Sequence, residues 1–245
     1  MDAAPLLLAV ESATARAFVA LLRGERLLVE IALDDGRPVS ETLLPAIDAA
    51  LDLAGLTLES VGAFAVSIGP GSFTGLRVGL ATVKGLAFGS ERPVAAVPTL
   101  AALARTAGAG PAPVAALLDA QRGEVYAAAF RDGEAEQPLA ALPEAVYAPA
   151  RLAALLPEEC LLVGEGAEAH AEVLARGTGR RVVAAELGRP RALQVGVLGA
   201  RLLRAGLGRP AAELVPRYVR RAEAEARRTG QALEPAAGRL PPGAL

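Results

Sequence analysis

Short apolar runs broken by glycine-rich or charged turns fill the first half of the chain, and the period of each run predicts its structure. Leu6–Val10 is an unbroken apolar block and reads as a buried strand. Ala17–Leu22 and Arg26–Leu33 follow it across the turns at Glu11–Thr14 and Gly24–Glu25, which predicts an antiparallel meander. Between Ser40 and Ala54 the period changes. Leu43, Leu44, Ile47, Ala50, Leu51 and Ala54 recur at helical spacing, and Gly55 suits a helix C-cap. Pro45 is tolerable there if the helix begins near Thr42. Asp48 and Asp52, one turn apart on the other face, read as an exposed flank. Val61–Ile68 is the next strand. The helix Leu76–Phe88 carries Leu76, Leu80, Val83 and Ala87 on one side and the small Gly75, Gly79 and Thr82 on another. Val94–Val97 is a strand, and Thr99 is a candidate cap for the helix Leu100–Arg105.

Ala107–Pro113 is rich in Gly, Pro and Ala and reads as a domain boundary. Beyond it, Val114–Leu118, the turn Asp119–Glu124 and Val125–Phe130 repeat the opening pattern: apolar strand, acidic residue, polar turn, second strand. A weak internal duplication follows, with Asp119 standing where Glu11 stood. Helices are expected over 149–155, 167–175 and 193–205, with short strands at 161–163 and 181–184. The expected organisation is a first lobe over 1–108, a smaller lobe over 109–219 and a flexible tail over 220–245.

The chemistry concentrates in Ile68-Gly69-Pro70-Gly71-Ser72-Phe73-Thr74-Gly75-Leu76-Arg77, a strand, a glycine-rich turn and a helix start. Ser72 or Thr74 can cap that helix. A turn of this kind presents N–H groups at a helix N-terminus, so Gly69, Gly71, Ser72, Thr74 and Gly75 are candidates for a nucleotide or phosphate loop. No Gly-Lys-Ser/Thr follows, and the glycine spacing is G-x-G-x-x-x-G, so a simple tight turn fits the spacing better. Glu11 closes the first strand. A carboxylate there can hold a metal-bound water or can be a solvated turn residue.

Composition narrows the field. With 53% hydrophobic residues and a mean hydropathy of +0.37, the chain is not disordered. No apolar run is long enough to span a bilayer, and Met1–Pro5 has no basic region of a signal peptide. The single cysteine, Cys160, fits a reducing cytoplasm, and with His170 as the only histidine no ordinary zinc site is expected. Net charge is −2, so the chain as a whole does not attract nucleic acid. Arg217, Arg220, Arg221, Arg227 and Arg228 outnumber Glu223 and Glu225 near the end, a stretch that reads as a solvated tail or a phosphate contact.

Gly69–Gly79 resembles the signature of the TsaB proteins, once called YeaZ. Four further pieces agree in order: Leu8–Ser12, Ser40–Ile47, Asp119–Tyr126 and Pro216–Arg220. The resemblance covers about residues 6–220 and implies an α/β fold with two lobes, that of the actin-like ATPases (ribonuclease-H-like), with a reduced second lobe. It also implies a part in making N6-threonylcarbamoyladenosine in tRNA. Such a protein is not itself the transferase. It pairs with TsaD, a homologue carrying the metal and the transferase site, and a TsaE ATPase joins them, so ATP and metal are expected on the partners and tRNA only through the complex. The helices 43–54 and 76–87 would form the partner face, with Leu43, Leu44, Ile47, Leu51, Leu76, Leu80 and Val83 as anchors. Without the partner, that face would pair two copies. Relatives often carry Asp at the position of Glu11 and His at that of Val39; both departures suit a lobe that has lost chemistry, with Glu11 and Asp119 vestigial. Ser72 has no histidine nearby to activate it. The alternative is a catalytic superfamily member, an ATP-dependent kinase or an M22-type peptidase-like metalloenzyme, using Glu11, Asp119 and the glycine turn.

Overall fold

The computed structural model describes residues 4–133, 137–176, 180–183 and 188–220. The expected tail, with Arg221, Arg227 and Arg228, lies outside them from residue 221 onward. The first half runs β1 (Leu6–Glu11), β2 (Ala17–Arg23), β3 (Arg26–Leu33), α1 (Val39–Ala54), β4 (Val61–Gly69), α2 (Phe73–Ala87), β5 (Val94–Pro98) and α3 (Thr99–Ala104). The second runs β6 (Val114–Asp119), β7 (Val125–Phe130), β8 (Ala145–Tyr147), α4 (Pro149–Leu155), β9 (Leu161–Val163), α5 (Glu165–Ala169), α6 (Ala171–Leu174), β10 (Arg181–Val182) and α7 (Ala192–Arg204).

Two five-stranded sheets result, ordered β3-β2-β1-β4-β5 and β8-β7-β6-β9-β10. In each, the strand that opens its lobe is central, antiparallel to the next strand and parallel to a later one. This repeated order is the two-lobed, ribonuclease-H-like α/β arrangement, with short strands β8–β10 making the second lobe smaller. β1 shows why its sequence is apolar throughout. Leu6, Leu8 and Val10 join the core beneath α1 and α2, with Leu43, Ile47, Leu80 and Val83. Leu7 and Ala9 join the opposite layer, with Leu100 and Leu103 of α3 and Val195 and Leu198 of α7. A strand covered on both faces has no polar side to show.

Several elements depart from expectation. α1 begins at Val39, so Pro45 falls in its second turn rather than its first; the ring sits on the exposed side, where solvent meets the carbonyl left without a donor. Thr99 is the first residue of α3 rather than its cap, and its Oγ1 accepts a bond from the Gly69 N–H at 3.1 Å. The helix expected over 167–175 is two pieces broken at His170. α7 packs on β1, β2, β4 and β5, and Val94 pairs with Arg209 in an isolated bridge. α7 and Arg209, inside the stretch expected to belong to the smaller lobe, thus pack on the first sheet. No helix among the described residues is long and apolar enough to cross a membrane.

Candidate functional site

β4 delivers the chain into the glycine turn, where the Gly69–Pro70 peptide is cis and Gly69 (φ 118°) and Gly71 (φ 154°) take backbone angles that side chains disfavour. Ser72, not Thr74, caps α2: its Oγ accepts from the Gly75 N–H at 3.2 Å. The Ser72 N–H donates to the Ala13 carbonyl at 2.6 Å, and the Ser12 hydroxyl donates to the Gly75 carbonyl at 2.9 Å. A Cβ at Gly71 would land on the Ala13 carbonyl oxygen, and one at Gly75 on that of Ser12. The β1–β2 turn is thus seated directly on the start of α2. In the expected phosphate loop, Ser72 and Gly75 direct their N–H groups to this chain, the glycines make room for Ser12 and Ala13, and Thr74 faces solvent.

Glu11 lies under this contact, fully buried. Its Oε1 accepts from the Ala13 N–H at 2.6 Å, while Oε2 accepts no hydrogen bond among the described residues. Burial pushes its carboxyl up to about 7, with the Ala13 N–H and the Ser67 hydroxyl pulling the other way. It is no solvated turn residue. Asp119 is exposed, and its carboxylate accepts from the backbone N–H and the side-chain Nε2 of Gln121 at 2.8 and 2.9 Å, an Asx turn. Among the described residues, no group of three or more His, Cys, Asp or Glu is placed to hold a metal ion.

The expected partner anchors are also corrected. Leu43, Ile47, Leu51, Leu76, Leu80 and Val83 are buried in this chain's own core, because each points at the sheet. Of the seven, only Leu44 faces out, 50% exposed against 1% for its neighbour Leu43. The outward side of α2 carries Phe73, Arg77, Ala81 and Gly85, and Phe88 follows its end at 89% exposure. Sequence reading missed this set because it grouped Leu44 with the core stripe and stopped at large apolar residues. A signal was present: Ala81 and Gly85 are small and share the flank of Arg77.

Comparisons with known proteins agree with the geometry. A family model described as "TsaD: tRNA N6-adenosine threonylcarbamoyltransferase" matches residues 35–227. The solved structure of YeaZ from Pseudomonas aeruginosa superposes with a TM-score of 0.76 at 32% identity, covering 87% of this chain and 99% of that one. The chain belongs to the TsaB (YeaZ) family, within the wider family that the model describes. Proteins named "tRNA threonylcarbamoyladenosine biosynthesis protein TsaB" match from Haemophilus influenzae, 43% identical over 124 residues, and Bacillus subtilis, 28% over 228. The first match covers 49% of this chain and only 51% of that protein, so the chain spans about half the length of this relative; the second covers 90% and 96%. In TsaB terms, the signature Gly69–Gly79 is the seat for the β1–β2 turn, and Pro216–Arg220 runs beside it: the Arg217 N–H donates to the Ile68 carbonyl at 2.6 Å.

Proposed function

We propose that this chain is a non-catalytic subunit in the synthesis of N6-threonylcarbamoyladenosine in tRNA, and that it binds and activates a TsaD-type transferase. One observation carries the reading. The turn that could hold a phosphate is closed by Ser12 and Ala13, and the carboxylate beneath it is sealed from solvent. The names of the TsaB relatives support the pathway. ATP and metal then belong to the TsaD-type partner and a TsaE-type ATPase, tRNA is met through the complex, and the setting is the cytoplasm. The outward flank of α1 and α2, with Leu44, Ala81 and Gly85, is the docking face and pairs two copies when the partner is missing. A leucine buried on docking contributes about 1.5–3 kcal/mol before ordering costs.

Transfer of threonylcarbamoyl to tRNA by the TsaD-type enzyme with its ATPase is expected to depend on this chain; a full rate without it refutes the proposal. Leu44→Glu with Ala81→Glu is expected to weaken binding to the transferase at least ~10-fold, about 1.4 kcal/mol, with the melting temperature unchanged. Undiminished binding puts the docking face elsewhere. Tight Mg-ATP binding to the isolated chain, measured by calorimetry, would instead support the catalytic alternative.

A further inference from the structure

Residues 214–220 touch both lobes, and they do so alternately. Leu214 is buried in the core beneath α1 and α2. The Arg217 main chain bonds the end of β4, and its carbonyl oxygen lies where Gly69 would carry a Cβ, 2.5 Å away. The Tyr218 ring stacks on Phe73 with centroids 5.1 Å apart, and its hydroxyl accepts from Arg77 Nε at 3.0 Å. The Arg77 guanidinium lies 3.9 Å over the other partner of that stack, Phe73. All of these hold the first lobe. The side chains of Arg217 and Arg220 reach the second. Arg217 Nε is 2.8 Å from Glu144 Oε1, just before β8, an ion pair in which the carboxylate is buried and the guanidinium partly exposed, and Oε1 accepts no well-aligned hydrogen bond among the described residues. Arg220 donates to the Ala120 carbonyl at 2.7 Å and pairs with Glu124, both in the β6–β7 turn.

We propose that this segment is a latch that fixes the angle between the lobes. Its anchor points on the two lobes are the glycine turn after β4 and the β6–β7 turn, the places between which a two-lobed chain would have to open and close. A buried carboxylate needs its guanidinium, and removing Arg217 strands Glu144. The lobes therefore resist separation there, while the apolar layer of α3 and α7 joins them elsewhere. The chain is held in one lobe arrangement and does not close on a ligand. This does not depend on the proposed partner: a failure of transferase activation would leave it standing.

The test uses the full chain with Cys160→Ala and spin labels at Leu53→Cys and Leu155→Cys, exposed positions in different lobes. One narrow distance distribution is expected, unchanged by Mg-ATP. Arg217→Ala with Arg220→Ala is expected to broaden it at least twofold. The exchanged pair Arg217→Glu with Glu144→Arg is expected to narrow it again relative to Arg217→Glu alone. Tyr218→Ala, which strands no buried charge, is expected to broaden it less and decides the matter if the double variant does not fold. A width unchanged in the variants, a broadening that the exchanged pair does not reverse, or a shift of the wild type on adding Mg-ATP overturns the proposal.

Discussion

The two lobes start from the same plan and treat its acidic position in opposite ways. β1 and β6 are each the central strand of their sheets, each ends in a carboxylate, and each turns back into an antiparallel neighbour. In the first lobe the following turn folds down onto α2, so Glu11 is sealed and its carboxyl sits near 7. In the second lobe the turn does not fold onto a helix start, and Asp119 accepts bonds from Gln121 within it. What separates the two is not the carboxylate but what lies on top of it. A helix start with glycine at both contact points admits the turn in one lobe. The β6–β7 turn meets Arg220 instead.

The contrast can be broken most strongly at Gly75. Gly75→Ala places a methyl on the Ser12 carbonyl, and backbone cannot step aside; a loss of about 4 kcal/mol is expected, read from denaturant unfolding. In the β6–β7 turn of the second lobe, Gly123→Ala meets nothing within 4 Å and is strained only by its φ of 75°, so about 1 kcal/mol is expected. Equal losses would remove the contrast.

Glu11→Gln sharpens it next. Between pH 4.5 and about 7 the folded chain keeps a proton on Glu11 that the unfolded chain has released. Stability from this group is therefore full below 4.5 and falls as pH rises through 7. Glu11→Gln should flatten that decline and make the variant more stable than wild type at pH 8, by up to roughly 3 kcal/mol. Glu144, also pushed up to about 7 by burial against the pull of Arg217, leaves a residual slope of the same sign. Melting temperatures from pH 4 to 8 check this; parallel curves for variant and wild type would show that Glu11 ionises freely. The smallest effect belongs to Asp119→Asn, which keeps the Asx turn: a change within about 0.5 kcal/mol, read from denaturant unfolding.

Much of this was legible in the chain. The runs at 6–10, 17–22 and 61–68 became strands because their apolar content matches a sheet covered on both faces, and the repeat of Glu11 in Asp119 announced the second sheet. The glycine turn was legible as a turn, but not as a seat for Ser12 and Ala13, since those contacts join residues about sixty positions apart. The same limit hid the burial of Glu11. Leu44 was placed with Leu43 because a helical stripe drawn from sequence has no sharp edge, and only the sheet beneath α1 decides which of two adjacent leucines turns inward. β8, three residues long, carried too short a pattern to read.

The return of α7 to the first sheet bears on how the molecule is made. One face of that sheet, covered in part by α3, stays incomplete until residue 204 has left the ribosome, since Val195 and Leu198 complete the layer over Leu7, Ala65 and Ala95. The first lobe is thus assembled last, after the second has been synthesised, and a nascent chain stopped at residue 108 would carry a sticky, half-clad sheet into reach of chaperones.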